Sequence, residues 1–339
     1  MHPCTPMATA FHSTRIEAPA RLHLGFLDPS ASRGRRFGSI GLALDNISTL
    51  VSAVPYAEFN VCGASAERAR EHATAVIEHF GLNDGVRLAI EHSIPSHAGL
   101  GSGTQLALAV GAALLEAHGR SVNIGELAAL LGRGKRSGIG LSLFDQGGLI
   151  VDGGHGAATQ SPPVISRLTF PAQWRVVLIF DHASEGLSGR AESAAFGALA
   201  PMPAEQAARI CHATMMTLLP AVAEQNFAAF SAAIAEVQTI VGAHFAAMQA
   251  AGAYTSARVR AAVEHVQAVC GLVGVGQSSW GPTAFVFTPS QAVAEQVVQE
   301  LQHAFADAAG LAFMISAARN HGARIERDAS AAPTRIALA

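Results

Sequence analysis

Residues 94–112 read IPSHAGLGSGTQLALAVGA, a glycine-rich turn running directly into a long apolar segment. Gly99, Gly101 and Gly103 are interleaved with Leu100 and Ser102, and Thr104 follows, so the backbone can fold tightly and aim successive N–H groups at one point. A helix starting there adds unpaired first-turn N–H groups and the positive end of its dipole, worth about 0.3–2 kcal/mol toward an anion. The chemistry of such an arrangement is the holding of phosphate. The plainer alternative is a glycine turn in which Ser102 or Thr104 only caps a helix. Lys135 is the single lysine of the chain. Anions must otherwise be held by arginine forks, backbone N–H groups or a metal.

The elements that must position this loop can be read from periodicity. The 339 residues suffice for one large or two medium domains, half of them are hydrophobic and 14% are charged, as in a globular enzyme with a generous core. A net charge of −3 gives no reason to expect nucleic acid or an anionic membrane as partner. Cys4, Cys62, Cys211 and Cys270 lack paired spacing, against a zinc site or a disulfide framework. Residues 1–13 do not read as a secretory signal, and no apolar run is expected to reach the ~18 residues that span a bilayer, so a cytoplasmic protein is expected. Strands are predicted at 21–27, 47–54, 58–63 and 86–92, and helices at 66–80, 104–118 and 124–133. Ala69, Ala73, Val76, Ile77 and Phe80 share one face of the first helix. A short strand lies between the glycine pairs 147–148 and 153–154. The irregular stretch 155–171, with Pro162-Pro163, marks a boundary between domains 1–165 and 166–330, followed by a loosely ordered tail at 331–339. The second half opens with a buried strand at 174–181. Helices follow near 203–218, 221–250, 254–270 and 291–308, with strands at 272–276, 283–287 and 311–317. The class is α+β.

APARLHLGFLD, PSHAGLGSGTQLA and VGVGQSSWGPTAFVF fall, in that order, where the GHMP superfamily of small-molecule kinases carries its three motifs. The chain resembles that superfamily over most of its length. Within it, ARLHLGFLD (20–28), FGSIGLAL (37–44), RSGIGLSLFDQGGLIVDGG (136–154), EGLSGRAE (185–192) and GQSSWGPT (276–283) are similar to the β-ribofuranosylaminobenzene 5′-phosphate synthase family of methanopterin biosynthesis. The resemblance implies an N-terminal mixed β/α domain and a C-terminal ferredoxin-like α/β sandwich. One departure from the kinases matters. Many of them carry P-S-G-x-D, whose Asp helps activate the substrate hydroxyl. Here Ser137-Gly138 and Gly147-Gly148 stay in register, but the Asp position is Gly140, which has no side chain to accept a proton.

The resemblance implies condensation of phosphoribosyl pyrophosphate with 4-hydroxybenzoate or 4-aminobenzoate, with release of CO2 and pyrophosphate. It also implies magnesium bound with the pyrophosphate, and a homodimer. The protein must then anchor two anions, hold the reactants in line and exclude water. On this reading Gly99, Gly101, Ser102, Gly103 and Thr104 hold phosphate or pyrophosphate, with Arg136 and Ser137 beside a second flexible turn as further anion contacts. Arg21 and His23 alternate with Leu22 and Leu24, so they share one face of a strand. That face is either functional, with Arg21 on a phosphate and His23 as an acid–base group, or simply solvated. Asp28 is a candidate for magnesium or for orienting His23, and otherwise a turn residue beside Pro29. Asp145, in an apolar context, is a candidate metal ligand or proton acceptor, and otherwise structural. Asp152 reads as a turn residue. Ser188-Gly189-Arg190 with Glu192 forms a helix cap or a substrate loop. Gln277 and Ser278 are candidates for the polar substituents of an aromatic acid, and Trp280 for stacking on its ring or for packing. His72 and His79 read as solvated, and His321 as a minor candidate.

Two other functions stay open from sequence: an ATP-dependent GHMP kinase acting on a small molecule, disfavoured by Gly140, and a non-catalytic GHMP-like metabolite sensor, disfavoured by the polar ARLHLGFLD strand.

Overall fold

The computed structural model describes residues 11–82, 85–187 and 189–328. Two sheets organise it. The first half contains β1 (Ser13–Asp28), β2 (Phe37–Pro55), β3 (Asn60–Gly63), α1 (Ala66–Phe80), β4 (Val86–His92), α2 (Ser102–Ala117), α3 (Ile124–Leu130), α4 (Ile139–Gln146), β5 (Leu149–Asp152) and β6 (Val164–Leu168). The second half contains β7 (Arg175–Asp181), α5 (Gly189–Ala198), α6 (Ala204–Ala213), α7 (Leu219–Ala223), α8 (Phe227–Phe245), α9 (Ala257–Cys270), β8 (Val275–Gln277), β9 (Ala284–Thr288), α10 (Gln291–Ala304), β10 (Leu311–Ser316) and β11 (Arg324–Asp328).

β1 and β2 form a long antiparallel pair with irregular register between Pro19 and Arg21 and again between His23 and Gly25. Such irregularities bend a strand and re-aim its side chains, and here they flank Arg21 and His23. β2 also pairs with β4 through its C-terminal half and with β5 through its N-terminal half. The second sheet runs β10-β7-β9-β8, and with its crossing helices this is the βαββαβ order of a ferredoxin-like sandwich.

α2 is buried from Gln105 to Ala117, as a helix apolar on every side must be. α1 buries Ala69, Ala73 and Val76, the expected face. Asn123, Ser256 and Ser290 cap α3, α9 and α10 by accepting N–H bonds from the first turn. Residues 227–248 are long and apolar enough to cross a bilayer by composition, contrary to the sequence expectation. In the fold, α8 buries Phe230, Ile234, Val237 and Ile240 in a core shared with Leu22, Leu24 and Leu42 of the first sheet.

α4 and β6 form where a flexible turn and an irregular stretch are expected, α5 realises the helix alternative at Gly189, and β11 is a strand the sequence reading does not include. β6 pairs with β5, so the first sheet extends past residue 165. β11 returns from the second half to pair with β1, Ser13 opposite Asp328, and Arg319 N–H bonds to Ala43 O at 2.9 Å. The expected 166–330 domain therefore gives its last strand to the N-terminal sheet. Residues 331–339 and Ser188 lie outside the described residues.

Candidate active site

A cavity of about 540 Å³ opens where five segments meet. β1 supplies Arg21, His23 and Phe26. The glycine loop and first turn of α2 supply Gly99, Gly101, Ser102, Gly103 and Thr104. Arg68 comes from the start of α1, Gly132 through Ser137 from the α3–α4 connection, and Glu192 from α5. Arg21, Arg68, Arg133, Lys135 and Arg136 face this space, against Glu192 as the one carboxylate lining it among the described residues. The excess of positive charge suits a polyanion.

The glycine loop is shaped by its neighbours as well as by its own freedom. Gly99 and Gly101 have φ of +78° and +79°, where side chains are strained. A Cβ on Gly99 would lie 2.2 Å from Ser278 O, and one on Gly101 2.5 Å from Cγ of Arg21. Gly101 is thus a glycine both for its backbone conformation and because Arg21 packs against it. It is the N-cap of α2, which has no side-chain cap bond, so Ser102 and Thr104 are not its caps. The first-turn N–H groups of Ser102 and Gly103 precede the helix's own bonding pattern and are oriented as donors. Gly140, at the kinase Asp position, would place a Cβ 3.1 Å from Cγ2 of Thr104. A side chain there would face this same turn.

Arg21 is half-buried against the loop and donates from Nη1 to Gly99 O at 3.3 Å. Burial, reinforced by Arg136 and opposed by Glu192, lowers its pKa to about 10, so it remains a cation at neutral pH. His23 is 3% exposed. Its Nδ1 accepts the Gly25 N–H at 3.2 Å, which leaves the ring proton on Nε2. That Nε2 is buried without a partner. Burial first, then Arg21, holds the imidazole's pKa well below its ordinary value. His23 thus lines the cavity as a neutral imidazole with a buried Nε2–H donor, rather than as a group charged near neutral pH. Arg136 binds Glu192 at 2.5 Å and lies over the Phe196 ring. Burial pushes the Glu192 carboxyl up, while Arg136 and Arg21 pull it down.

Other candidates have structural roles. Ser278 is fully buried; its hydroxyl donates to Gly99 O at 2.8 Å and accepts the His23 N–H at 3.0 Å. It latches the third motif to the first two and has no free group for an acid. Gln277 donates to Gln249 and Ser279 O and accepts the Thr255 N–H, so its amide is likewise occupied. Trp280 packs edge-on against Phe196 and Phe245 in a buried cluster with Phe26 and Phe37. It lines a small pocket of about 30 Å³ that shares His23, Phe26 and Ser279 with the main cavity. Its ring is a wall, not an open stacking platform.

Asp28 and Asp145 lie apart from the cavity lining. The Asp28 carboxylate accepts the Ser30 N–H, the Ser32 N–H and the Ser32 hydroxyl, closing the turn after β1. Asp145 is exposed at the end of α4, bonded to the neighbouring Gln146 amide. Neither is placed to hold a metal or take a proton at the site. Asp152 is buried and receives the Gly138 and Gly154 N–H groups at 2.9 Å, fixing the turn that presents Ser137. Among the described residues no three His, Cys, Asp or Glu side chains cluster as a self-sufficient metal site. Magnesium commonly uses one or two carboxylates plus substrate phosphates; Glu192, the one carboxylate lining the cavity among the described residues, is already paired with Arg136, so a metal here would be held chiefly through its polyphosphate.

Arg68 and Arg133 are absent from the sequence candidates, Lys135 figures there only as the single lysine, and His72, expected to be solvated, is half-buried and bonded to Arg133. The run Gly132-Arg133-Gly134-Lys135-Arg136 packs three cations between glycines in a sparsely charged chain, a usable signal for an anion loop. Arg68 and His72 carried no such signal, because they sit on the polar side of an amphipathic helix.

Residues 67–148 match the GHMP kinases N-terminal domain and residues 218–307 the GHMP kinases C-terminal family. A protein of Archaeoglobus fulgidus named β-ribofuranosylphenol 5′-phosphate synthase is 33% identical over 92% of this chain and 99% of its own length. One of the same name from Methanothermobacter thermautotrophicus is 32% identical over 66% of this chain and 74% of its own. Mevalonate diphosphate decarboxylase from Staphylococcus aureus shares the fold, with a TM-score of 0.67 at 14% identity over 93% of this chain and 98% of that one.

Proposed function

The chain belongs to the β-ribofuranosylphenol 5′-phosphate synthase family within the GHMP fold, and we propose that it joins phosphoribosyl pyrophosphate to 4-hydroxybenzoate, releasing CO2 and pyrophosphate. The relatives' name, a phenol product, favours the hydroxy acid over the amino acid as acceptor. The observation that carries the reading is the cationic cavity around a glycine loop, with glycine at the kinase base position and a neutral histidine donor at its apolar side.

The chemistry explains why a base is dispensable. The C1–O bond of the ribosyl donor breaks and its electron pair leaves with pyrophosphate. The ring carbon bearing the carboxylate attacks C1, pushed by the para oxygen. The carbon–carbon bond to the carboxylate then breaks, its electrons restore the ring, and CO2 departs. Because the acid enters as a carboxylate, CO2 leaves where another aromatic substitution would lose a proton, and no side chain must collect one. A kinase must help remove a hydroxyl proton, and Gly140 cannot.

The residues present match these demands. The first turn of α2 and the cavity arginines stabilise charge on the departing group. Magnesium, when bound with the pyrophosphate, would add Lewis-acid stabilisation of that charge. Phe26 and Leu187 give the arene an apolar boundary, and the Nε2–H of His23 can donate to an oxygen at that boundary. The test uses purified protein, magnesium, phosphoribosyl pyrophosphate and carboxyl-labelled 4-hydroxybenzoate. Equimolar labelled CO2 and pyrophosphate without ATP is expected. ATP consumption with neither product would establish a kinase instead.

A further inference from the structure

We infer that the diphosphate end of the ribosyl donor is seated between Arg68, Arg133 and the backbone of Gly103, and that His72 is a positioning residue that orients Arg133 without neutralising it. This rests on the proposed substrate but assigns its two anionic ends, which the fold alone leaves open.

The two guanidiniums converge on one backbone position. A Cβ added at Gly103 would lie 3.0 Å from Nη2 of Arg68 and 3.6 Å from Nη1 of Arg133. Gly103 is the second residue of α2, where N–H groups have no helical acceptor. Its glycine is not demanded by a positive φ, so what the missing side chain allows is the close approach of both guanidiniums to this backbone seat. Two cations held this close repel, and Arg68 together with burial lowers the Arg133 pKa. Among the described residues neither forms a carboxylate ion pair within 4 Å, and Nε of Arg133 is buried without a partner. An arrangement with this much uncompensated positive charge is completed by an anion.

His72 shows how the pair is held ready. It stands one turn along α1 from Arg68, and its Nε2 accepts from Nη2 of Arg133 at 3.2 Å. Burial, Arg133 and Arg68 lower its pKa to about 4, so the ring is neutral at physiological pH. A carboxylate in its place would orient Arg133 and also cancel its charge. A neutral acceptor does only the first. The opposite cations are partly compensated: Glu192 pairs with Arg136 and its charge also acts on Arg21. The more highly charged diphosphate therefore belongs at the Arg68–Arg133 end and the 5′-phosphate at the Arg21–Arg136 end.

Calorimetric binding of inorganic pyrophosphate and of ribose 5-phosphate to the full-length protein, with magnesium, tests this without turnover. Arg68→Gln and Arg133→Gln are expected to weaken pyrophosphate about tenfold or more while leaving ribose 5-phosphate within about twofold. Gly103→Ala should weaken pyrophosphate by filling the seat. His72→Gln, which keeps a neutral acceptor, should bind nearly as the parent does, whereas His72→Glu should resemble Arg133→Gln. Unfolding temperatures verify that each variant is folded. Loss of ribose 5-phosphate with pyrophosphate retained, or equal affinities throughout, would overturn the assignment. Selective pyrophosphate loss in a protein that releases no labelled CO2 would instead leave the seat standing and remove the proposed reaction.

Discussion

Burial and the Arg21 guanidinium keep the His23 imidazole uncharged, and the Gly25 N–H on Nδ1 fixes its proton on Nε2. A buried donor without a partner costs free energy in the unliganded protein, about 1–3 kcal/mol for a typical group, and a ligand oxygen would recover it. Such a preset donor contributes most where charge grows during reaction, as on the para oxygen or another oxygen of the reacting pair. His23→Phe removes the donor while keeping a flat ring beside Phe26 and Trp280. Its kcat for labelled CO2 release should fall about 10²-fold with the KM for the ribosyl donor nearly unchanged. An unchanged kcat in folded protein would mean that Nε2 meets no reacting group. The strand alternation of ARLHLGFLD already placed Arg21 and His23 on one face, and they do face the cavity together. The protonation state was not legible there, because it comes from Gly25, the register irregularity and the surrounding burial.

The glycine loop, β1 and the loop between β8 and β9 meet at one hydroxyl, beside the Arg21 N–H bond to Leu100 O that also joins β1 to the glycine loop. Ser278 Oγ donates to Gly99 O and receives the His23 N–H, so the phosphate-binding loop and the histidine strand share a buried anchor. Ser278→Ala leaves both backbone groups without that partner, a loss of about 1–3 kcal/mol. The expected result is a lower unfolding temperature together with a severalfold rise in KM for the ribosyl donor; a variant indistinguishable from the parent in both would show that the Arg21 bonds to Gly99 O and Leu100 O and the surrounding packing hold the loop without the hydroxyl. Elements with strong local signals were readable: the glycines before α2, its apolar run, and the amphipathic α1. α4 was not, because eight residues with a glycine at position 140 carry too little periodicity. β11 was not, because RIERD is exposed along its length and becomes a strand only through pairing with β1. Asp145 misled for a related reason: its apolar neighbours face inward on α4 while it faces out. The Arg68–Arg133 pair arises from convergence of α1 with a loop more than a helix away, which spacing along the chain does not encode.

Both halves of the molecule contribute to the shared core, and several titratable groups are enclosed as it forms. His23 and His72 have folded-state pKa values below the ordinary 6.5, His72 at about 4. Below pH 6.5 the unfolded chain therefore binds more protons than the folded one, and stability falls as the solution is acidified toward pH 4; above pH 6.5 these histidines add no further dependence. For His72, lowering the pH to 5 corresponds to about 2 kcal/mol, reduced to about 1 kcal/mol for its partial exposure. Glu192 and Asp152, raised mainly by burial, act in the opposite sense, since the folded state takes up their protons first as pH falls through their folded-state values. Their window begins nearer the carboxylate range, so the histidines should dominate between pH 6.5 and about 5. The unfolding temperature of the parent should therefore drop over that interval, and His72→Gln should flatten part of the drop, by roughly 2 °C at pH 5. Parallel curves for the two proteins would show that His72 takes up its proton as readily in the folded as in the unfolded chain, against its burial between Arg68 and Arg133.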